Sequence, residues 1–425
     1  MLDIKRIRER TEEVRQGLRN RNADDSVVDK ILDLDGKRRN LIKNVEDQKS
    51  KRNSVSKQIG ALRKTGEDTT AIQNEMRLLG EEIADLDKQI ADVEVEQNEI
   101  VLRIPNIPSP TTPIGKSSED NVVVRTWGKA RTFNFEPKGH IEIGEKLGIF
   151  DFARSAKLSG TGFPLLIGQG AKLQRALICY MLDMHTTKHG YTELRTPYLV
   201  TRNTMTGTGQ LPKLAEDMYH CEVDDLWLIP TAEVPVTNFF ANEIIDDPLP
   251  IYLTAHTPCF RREAGAAGRD NRGIIRVHQF DKVEMVKFVE PSTSYDELES
   301  LVANAENILR SLEQHYRILA LCSGDMGFSA AKCYDIELWT PGQHDWLEVS
   351  SCSNFEDFQA RRAGIKFRDA EGKAKLVHTL NGSGVALPRL VVSILENGQQ
   401  EDGSVILPSA LVPYMGGQTV LMPVK

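Results

Sequence analysis

Residues 260–284 read FRREAGAAGRDNRGIIRVHQFDKVE, and this pattern indicates a strand, a glycine-rich loop and a returning strand. Side chains alternate between the two faces of a strand, so Arg261 and Glu263 are expected on one face. The returning strand is expected to present one polar and aromatic face, made by Arg276, His278, Phe280, Lys282 and Glu284. Such a face indicates a ligand-binding floor, although a solvent-facing hairpin with surface ion pairs fits the same pattern.

A coiled-coil pattern precedes this hairpin. From residue 28 to residue 103, apolar residues recur at spacings of three and four, and the strong helix breakers lie near Thr65 and Gly66. Two helices of about 35 residues joined by a short turn must fold back antiparallel, and the hairpin they form is about 50 Å long. We therefore predict a helical arm.

The two sides of the arm carry opposite charge. Between residues 37 and 64 there are ten Lys or Arg and two acids, whereas residues 67–99 contain eleven acids and two basic residues. One interpretation is that the basic helix lies along an RNA backbone while the acidic helix stabilises it. The other is that the opposite charges simply pair the two helices.

The length of 425 residues suits two or three domains. Four prolines between residues 104 and 113 forbid a helix there and indicate an extended linker, which we place at 105–117. The linker separates an N-terminal domain, 1–104, from a domain at 118–425 that mixes amphipathic helical runs with alternating segments. That mixture predicts an α+β domain with an antiparallel sheet.

Several classes of protein are disfavoured by composition. The chain has no uncharged apolar run of the roughly 20 residues that a membrane span needs, and its first residues lack the pattern of a signal peptide. A cytoplasmic protein with no membrane partner is therefore expected. The six cysteines include no C-x-x-C pair, which argues against a zinc site. A net charge of −8 argues weakly against an RNA partner, but the charge is concentrated unevenly along the arm.

Residues 260–284 resemble the second signature motif of class II aminoacyl-tRNA synthetases, and their RVHQFDKVE ending is similar to that of the seryl family. Residues 191–197, YTELRTP, resemble the first, dimer-forming motif, and residues 379–389, TLNGSGVALPR, resemble the third, in which a strand and a turn lead into a helix. Pro388 is tolerated in a first helical turn, and Arg389 would lie near a helix N-terminus, where anionic ligands are favoured.

The resemblance covers the whole chain. It implies a coiled-coil arm followed by a class II catalytic domain built on an antiparallel sheet flanked by helices. It also implies a homodimeric serine–tRNA ligase that makes seryl-tRNA(Ser), AMP and diphosphate through a seryl-adenylate. We expect ATP, L-serine and tRNA(Ser) as its partners, with tRNA(Sec) as a second candidate acceptor.

The resemblance further implies an ATP site formed by Arg261, Arg262, Glu263, Val277, His278, Gln279, Phe280, Glu348, Val349, Ser350, Ser351 and Arg389. Within this set, Arg261 is implied to bridge the serine carboxylate and the α-phosphate, and Glu263 to bind the adenine amino group. Phe280 and Arg389 are implied to sandwich the adenine ring. Strand alternation, however, directs Arg262 away from ATP.

The implied serine site consists of Thr231, Ala232, Glu233, Arg261, Glu284 and Ser383. The implied catalytic residues are Arg261, Glu284 and Arg389. Glu348 and Ser351 are implied to hold Mg²⁺ on the ATP phosphates, since hard oxygen ligands suit this ion. No zinc is expected, because the arm and the Thr-Ala-Glu sequence match the common form of the family rather than the zinc-dependent one.

For the arm, we predict that the RNA contacts include Arg38, Arg39, Lys49, Lys51 and Arg52. Three other functions stay open at this point. They are a coiled-coil scaffold, a class II relative that acts on a carrier protein, and an inactive paralogue. The long arm argues against the carrier-protein relative, and the intact motifs argue against the inactive paralogue.

Overall fold

A computed structural model of the chain describes residues 1–66, 68–264 and 273–424. The chain divides into two compact units, of which one is Leu2–Ile104 and the other is Pro105–Lys425 together with Met1. None of the helices in the described ranges is long and apolar enough to cross a membrane.

The N-terminal unit is helical in its described residues. Its helices are α1 Ile4–Glu9, α2 Thr11–Asn20, α3 Val27–Thr65 and α4 Thr70–Val101. The predicted break at Thr65 and Gly66 is confirmed, because α3 ends at Thr65 and Gly66 adopts a left-handed conformation with φ 77°.

Helices α3 and α4 pack along an apolar seam that includes Leu34, Leu41 and Val93. The apolar residues that recur at spacings of three and four therefore include those that pack against the facing helix, as predicted.

The second unit contains helices of eight or more residues and several short ones. Its described helices are α5 His140–Leu147, α6 Phe152–Ser159, α7 Gln169–Lys188, α8 Arg202–Thr208, α9 Glu233–Thr237, α10 Ser294–Ser311, α11 Phe358–Ala363 and α12 Leu387–Gly398.

Its described strands are β1 Val122–Trp127, β2 Thr192–Glu193, β3 Leu199–Thr201, β4 His220–Cys221, β5 Leu226–Leu228, β6 Ile244–Ile245, β7 Ile251–Phe260, β8 Gln279–Val289, β9 Tyr316–Ala320, β10 Lys332–Thr340, β11 Asp345–Asn354, β12 Lys366–Arg368, β13 Ala374–Leu376, β14 His378–Ala386, β15 Val405–Ile406 and β16 Val420–Leu421.

A large sheet dominates this unit. In the described residues it has eight strands in the order β1-β9-β10-β11-β14-β8-β7-β2. Neighbouring strands pair antiparallel except β2 and β7, which pair parallel. The predicted α+β class with a mainly antiparallel sheet is confirmed.

The central strand β8 has two different faces. Val283, Met285 and Val289 point into the main hydrophobic core, where side chains of α7, α10 and α12 cover them. The alternate side chains of the same strand, including Lys282 and Glu284, point to the opposite side of the sheet. One face of the sheet is therefore closed by α7, α10 and α12, whereas on the other face Val286 and Phe288 join a second apolar cluster and Lys282 and Glu284 form a polar region.

The third motif folds as expected from its sequence. Strand β14 leads directly into α12, and Pro388 lies in the first turn of that helix. Leu387, Leu390, Val391 and Ile394 form its buried stripe. Arg389 is thereby fixed at a helix N-terminus beside strand β11.

Residues 105–117 contain no helix or strand, in keeping with their four prolines, yet they group with the second unit. The Asn106 side chain is buried, and its amide donates to the carbonyls of Ser329 at 3.0 Å and Phe355 at 2.9 Å. The backbone N–H of Ser109 donates to the Ala331 carbonyl at 2.8 Å. The segment predicted as an extended linker is thus hydrogen-bonded along the second unit.

Candidate active site

The polar face of β8 forms part of a large cavity of about 680 Å³. Its floor comes from β8, β11, β14 and the start of α12, and its walls come from residues 208–218 and 327–330. Cavities of this size hold small-molecule ligands of nucleotide size.

Most of the predicted site residues line this cavity. They are Thr231, Glu233, Arg261, Glu263, Val277, Phe280, Glu348, Val349, Ser351, Ser383 and Arg389. They come from sequence positions up to about 160 residues apart, and the sheet order brings them together because β11, β14, β8 and β7 are neighbours.

Six predicted residues do not line the cavity: Ala232, Arg262, His278, Gln279, Glu284 and Ser350. Ala232 is buried in an apolar cluster, and Gln279 is exposed. Arg262 is exposed, and its guanidinium lies 5.9 Å from the centre of the Tyr219 ring. The Ser350 hydroxyl instead donates to the Ser383 carbonyl at 2.6 Å.

The predicted alternation holds only within β8 itself. Strand β7 ends at Phe260 and β8 begins at Gln279, so Arg261, Arg276 and His278 lie in irregular backbone outside both strands. The His278 side chain does not line the cavity, and its Nδ1 lies 3.1 Å from the Arg261 carbonyl oxygen. The glycine-rich part of the predicted loop, 265–272, lies outside the described residues.

Glu284 lies on the correct face but deeper than expected, with its side chain fully buried. Its Oε1 accepts a hydrogen bond from the Asn381 amide at 2.8 Å, and its Oε2 lies 2.5 Å from Lys282 Nζ. Asn381 and Lys282 both line the cavity. Glu284 therefore contacts two side chains that line the cavity, although it does not line the cavity itself.

Glu233 is the buried acid of the cavity. It lies at the start of α9, and its Oε1 accepts a hydrogen bond from the Gln359 amide at 2.6 Å. Burial, and then the negative charge of Glu284, raise the pKa of the Glu233 carboxyl from 4.5 to about 7. A cationic ligand group beside this carboxylate would relieve both effects.

Three of the described arginines line the cavity, and of these Arg276 is paired with Glu263. Arg261 Nε donates to the Pro230 carbonyl at 3.3 Å, and the guanidinium carbon lies 5.1 Å from the centre of the Phe280 ring. Arg389 Nη1 donates to the Glu348 carbonyl at 2.7 Å and lies 3.5 Å from a Glu348 carboxylate oxygen. The cation observed over Phe280 is thus Arg261.

Glu263 has a backbone φ of 51°, and its carboxylate pairs with Arg276, which also lines the cavity. Sequence reasoning assigned no role to Arg276, Lys282 or Asn381, although the first two belong to the predicted polar face. The walls at 208–218 and 327–330 carried no local signal, since they reach the cavity only through the tertiary fold.

Side-chain oxygen atoms that could bind a metal ion lie where β10 and β11 border the cavity. Glu348 and Ser351 line it, and the Ser351 hydroxyl lies 3.1 Å from the Cys333 sulfur. Behind them, burial and the charge of Glu348 hold the pKa of the Asp335 carboxyl well above its usual range. The Glu348 carboxylate and the Ser351 hydroxyl are hard oxygen donors, which fit Mg²⁺ better than a soft metal.

Within the residues that the structure describes, there is no group of three or more His, Cys, Asp or Glu side chains placed to hold a metal ion by themselves. An ion at Glu348 and Ser351 would therefore need further ligands from water or from ATP phosphates, as is usual for Mg²⁺.

Comparison with known proteins matches both units. Residues 219–398 match the family model of the tRNA synthetase class II core domain (G, H, P, S and T), and residues 1–108 match that of the seryl-tRNA synthetase N-terminal domain. The serine–tRNA ligase of Geobacillus kaustophilus is 55% identical over 423 residues, which cover 99% of this chain and 100% of the relative.

Two solved structures are similar over the whole chain. Seryl-tRNA synthetase from Pyrococcus horikoshii, complexed with ATP, has a TM-score of 0.94 at 40% identity, with 100% of each chain covered. The cytoplasmic serine–tRNA ligase from Naegleria fowleri, in complex with AMP, has a TM-score of 0.88 at 30% identity and covers 100% of this chain and 99% of its own.

The antiparallel sheet, its polar cavity and the match to the core domain define a class II aminoacyl-tRNA synthetase. Identity over nearly the full length narrows this class further. The chain belongs to the serine–tRNA ligase family, so it is a ligase, as the resemblance of its motifs implied.

Proposed function

We propose that this cavity activates L-serine with ATP and that the enzyme then transfers the seryl group to tRNA(Ser). In the first step a serine carboxylate oxygen attacks the α-phosphorus, the bond to the bridging oxygen breaks, and diphosphate leaves. In the second step a terminal ribose hydroxyl of the tRNA attacks the seryl carbonyl carbon, and AMP leaves. The observation that carries the proposal is one cavity that holds a buried carboxylate, Glu233, together with the guanidinium groups of Arg261 and Arg389.

The serine site is proposed at the deep end of the cavity. Glu233 offers a carboxylate for the serine ammonium group, and Arg261 offers a guanidinium for the serine carboxylate. Thr231 and Ser383 supply polar groups beside them. A hydroxyl-bearing ligand is favoured over alanine there, because a buried polar group left without a partner costs more than a missing methylene.

The ATP site is proposed over Phe280, with the adenine ring between Phe280 and Arg389 and with Arg261 supplying positive charge to the α-phosphate. Such phosphoryl transfer needs positioning and charge stabilisation rather than a protein nucleophile. Glu284 contributes from behind by fixing Lys282 and Asn381. Glu263, paired with Arg276, remains the proposed contact for the adenine amino group.

Mg²⁺ is proposed at Glu348 and Ser351, where it would neutralise phosphate charge when bound with ATP. No zinc is proposed. The two residues would hold the ion on the phosphate side of the cavity.

The arm is proposed to bind tRNA. Arg38, Lys49 and Lys51 pair with α4, at 2.7 Å to Glu94, 3.4 Å to Asp87 and 3.1 Å to Glu75. Exposed ion pairs of this kind contribute little to stability, so these basic side chains can bind RNA phosphates instead of the acids of α4. Arg39 and Arg52 have no ion pair to a described residue, so we propose them as the first candidates for contact with RNA phosphates.

Three further points extend the proposal. The enzyme acts as a homodimer joined through the first motif around Pro197, which is exposed in the single chain. It works in the cytoplasm. tRNA(Sec) is a second acceptor, charged by the same seryl-adenylate.

Serine-dependent exchange of diphosphate into ATP tests the first step, with threonine, alanine and glycine as comparison substrates. We expect exchange with serine at a kcat/KM at least about a hundredfold above that with alanine. Equal exchange with alanine, or none with serine from folded protein, would contradict the proposed serine site.

A further inference from the structure

A buried glutamine lies directly behind the cavity acid. Gln359 is on α11, is 1% exposed and does not line the cavity. Its Nε2 donates to Glu233 Oε1 at 2.6 Å and to the Thr208 carbonyl at 3.2 Å. Its Oε1 accepts from the Thr379 hydroxyl at 2.8 Å. Every polar atom of this side chain is therefore engaged.

The surrounding acceptors determine which way the Gln359 amide points. If the amide were rotated by half a turn, its oxygen would face the Glu233 carboxylate and the Thr208 carbonyl, both of which can only accept when Glu233 is ionised. The Thr379 hydroxyl can donate to the oxygen in the observed orientation. The amide N–H groups are thus held toward Glu233 Oε1, which leaves Oε2 for a ligand.

The charges around Glu233 make this bond important. Glu284 disfavours ionisation of Glu233, as does burial, whereas the Gln359 hydrogen bond and the positive charges of Lys282 and Arg261 favour it. Lys282 is itself paired with Glu284, and Arg261 is proposed to bind the serine carboxylate. The Gln359 amide donates to Glu233 from outside the cavity lining, so this hydrogen bond does not require a bound ligand.

We propose that Gln359 is a positioning residue for the amino-acid ammonium site, holding the Glu233 carboxylate ionised and aimed into the cavity, with Thr379 fixing the orientation of the Gln359 amide. The inference rests on the proposed function, since it takes Glu233 as the acceptor for the serine ammonium group. It assigns a part in substrate binding to a side chain that does not touch the substrate.

The test compares Gln359→Leu with Thr379→Val in serine-dependent exchange. A hydrogen bond to a charged group corresponds to roughly tenfold to a hundredfold in affinity. We expect Gln359→Leu to raise the KM for serine by about that factor at neutral pH, with the KM for ATP within about twofold. Thr379→Val should raise the serine KM by a smaller factor, about threefold.

The pH profile separates positioning from packing. Without the Gln359 donor, Glu233 holds its proton to higher pH. The acidic limb of kcat/KM for serine should therefore move toward higher pH in Gln359→Leu. Gln314→Leu is the matched control, because Gln314 is also a buried glutamine, which donates to the Leu312 carbonyl and accepts from Ser393, away from the cavity lining.

An unchanged serine KM and an unchanged acidic limb in folded Gln359→Leu would overturn the inference, and so would an equal rise in the KM for ATP. Thermal unfolding establishes which variants fold; if Gln359→Leu does not, the serine KM and pH profile of Thr379→Val decide in the same way. Failure of the wild-type enzyme to exchange with serine would count against the proposed function instead.

Discussion

Replacing Arg261 by alanine should abolish most activity while replacing its neighbour Arg262 should not. Arg261 Nε is held by the Pro230 carbonyl and its guanidinium lies over Phe280, so its two Nη groups are preorganised toward the cavity. Arg262 is exposed and lies outside the cavity. The pair offers the same side chain at adjacent positions with opposite expected outcomes.

The magnitude follows from the kind of interaction that the substitution removes. Removing one preorganised donor that stabilises developing charge costs about 3 kcal/mol, or a factor of about 10²–10³ in kcat. Lysine keeps the charge but not the two-pronged geometry, so Arg261→Lys should lose about tenfold to a hundredfold. Arg262→Ala should stay within about twofold.

The assay is serine-dependent exchange of diphosphate into ATP, with thermal unfolding as a check on folding. The decrease should appear in kcat at saturating ATP and serine, because the interaction strengthens as the α-phosphate is attacked. Arg261→Ala retaining more than about a tenth of wild-type exchange would refute the assigned role. An equal loss in Arg262→Ala would place the important guanidinium outside the cavity.

Three other changes give distinct outcomes. Burial raises the pKa of Glu233 from 4.5 to about 7, so the folded protein loses stability as pH rises from about 4.5 to about 7. At pH 8, Glu233→Gln should therefore have a free energy of unfolding up to about 3 kcal/mol above that of the wild type and should unfold at a higher temperature. Its serine KM should rise sharply. A lower unfolding temperature would contradict this sign. The double variant Arg39→Glu/Arg52→Glu should bind tRNA more weakly and with a smaller salt dependence, without any change in diphosphate exchange. The control Arg77→Glu on α4 should leave the tRNA affinity and its salt dependence unchanged. Filter binding over a salt series measures both quantities. Glu348→Gln should raise the Mg²⁺ concentration for half-maximal exchange by about tenfold, and an unchanged Mg²⁺ titration would exclude this carboxylate as a ligand.

The parts of the fold that sequence predicted well are those fixed by local pattern. The arm was predictable because the spacing of three and four and the break at Gly66 are properties of neighbouring residues. The start of α12 was predictable for the same reason, since Pro388 and a buried stripe are local features. The sequence could not show that the Asn106 amide holds the proline-rich segment against the second unit, because its hydrogen-bond acceptors lie more than 200 residues away along the chain.

The sequence predicted many of the residues that form the site but not how deeply each of them is buried. Alternation placed Phe280, Lys282 and Glu284 on one face, yet only the tertiary fold decides that Glu284 is fully buried while Lys282 reaches the cavity. His278 was misplaced because β8 begins one residue later, at Gln279. Gln359 carried no signal at all, since its role depends on α11 packing behind Glu233.

Ligation of serine to tRNA is measured by charging purified tRNA(Ser) with labelled serine. With ATP and Mg²⁺, we expect labelled seryl-tRNA, one AMP formed for each serine attached, and no label on tRNA whose terminal ribose has been oxidised. Folded enzyme that exchanges diphosphate with serine but leaves tRNA(Ser) unlabelled would contradict the proposed function.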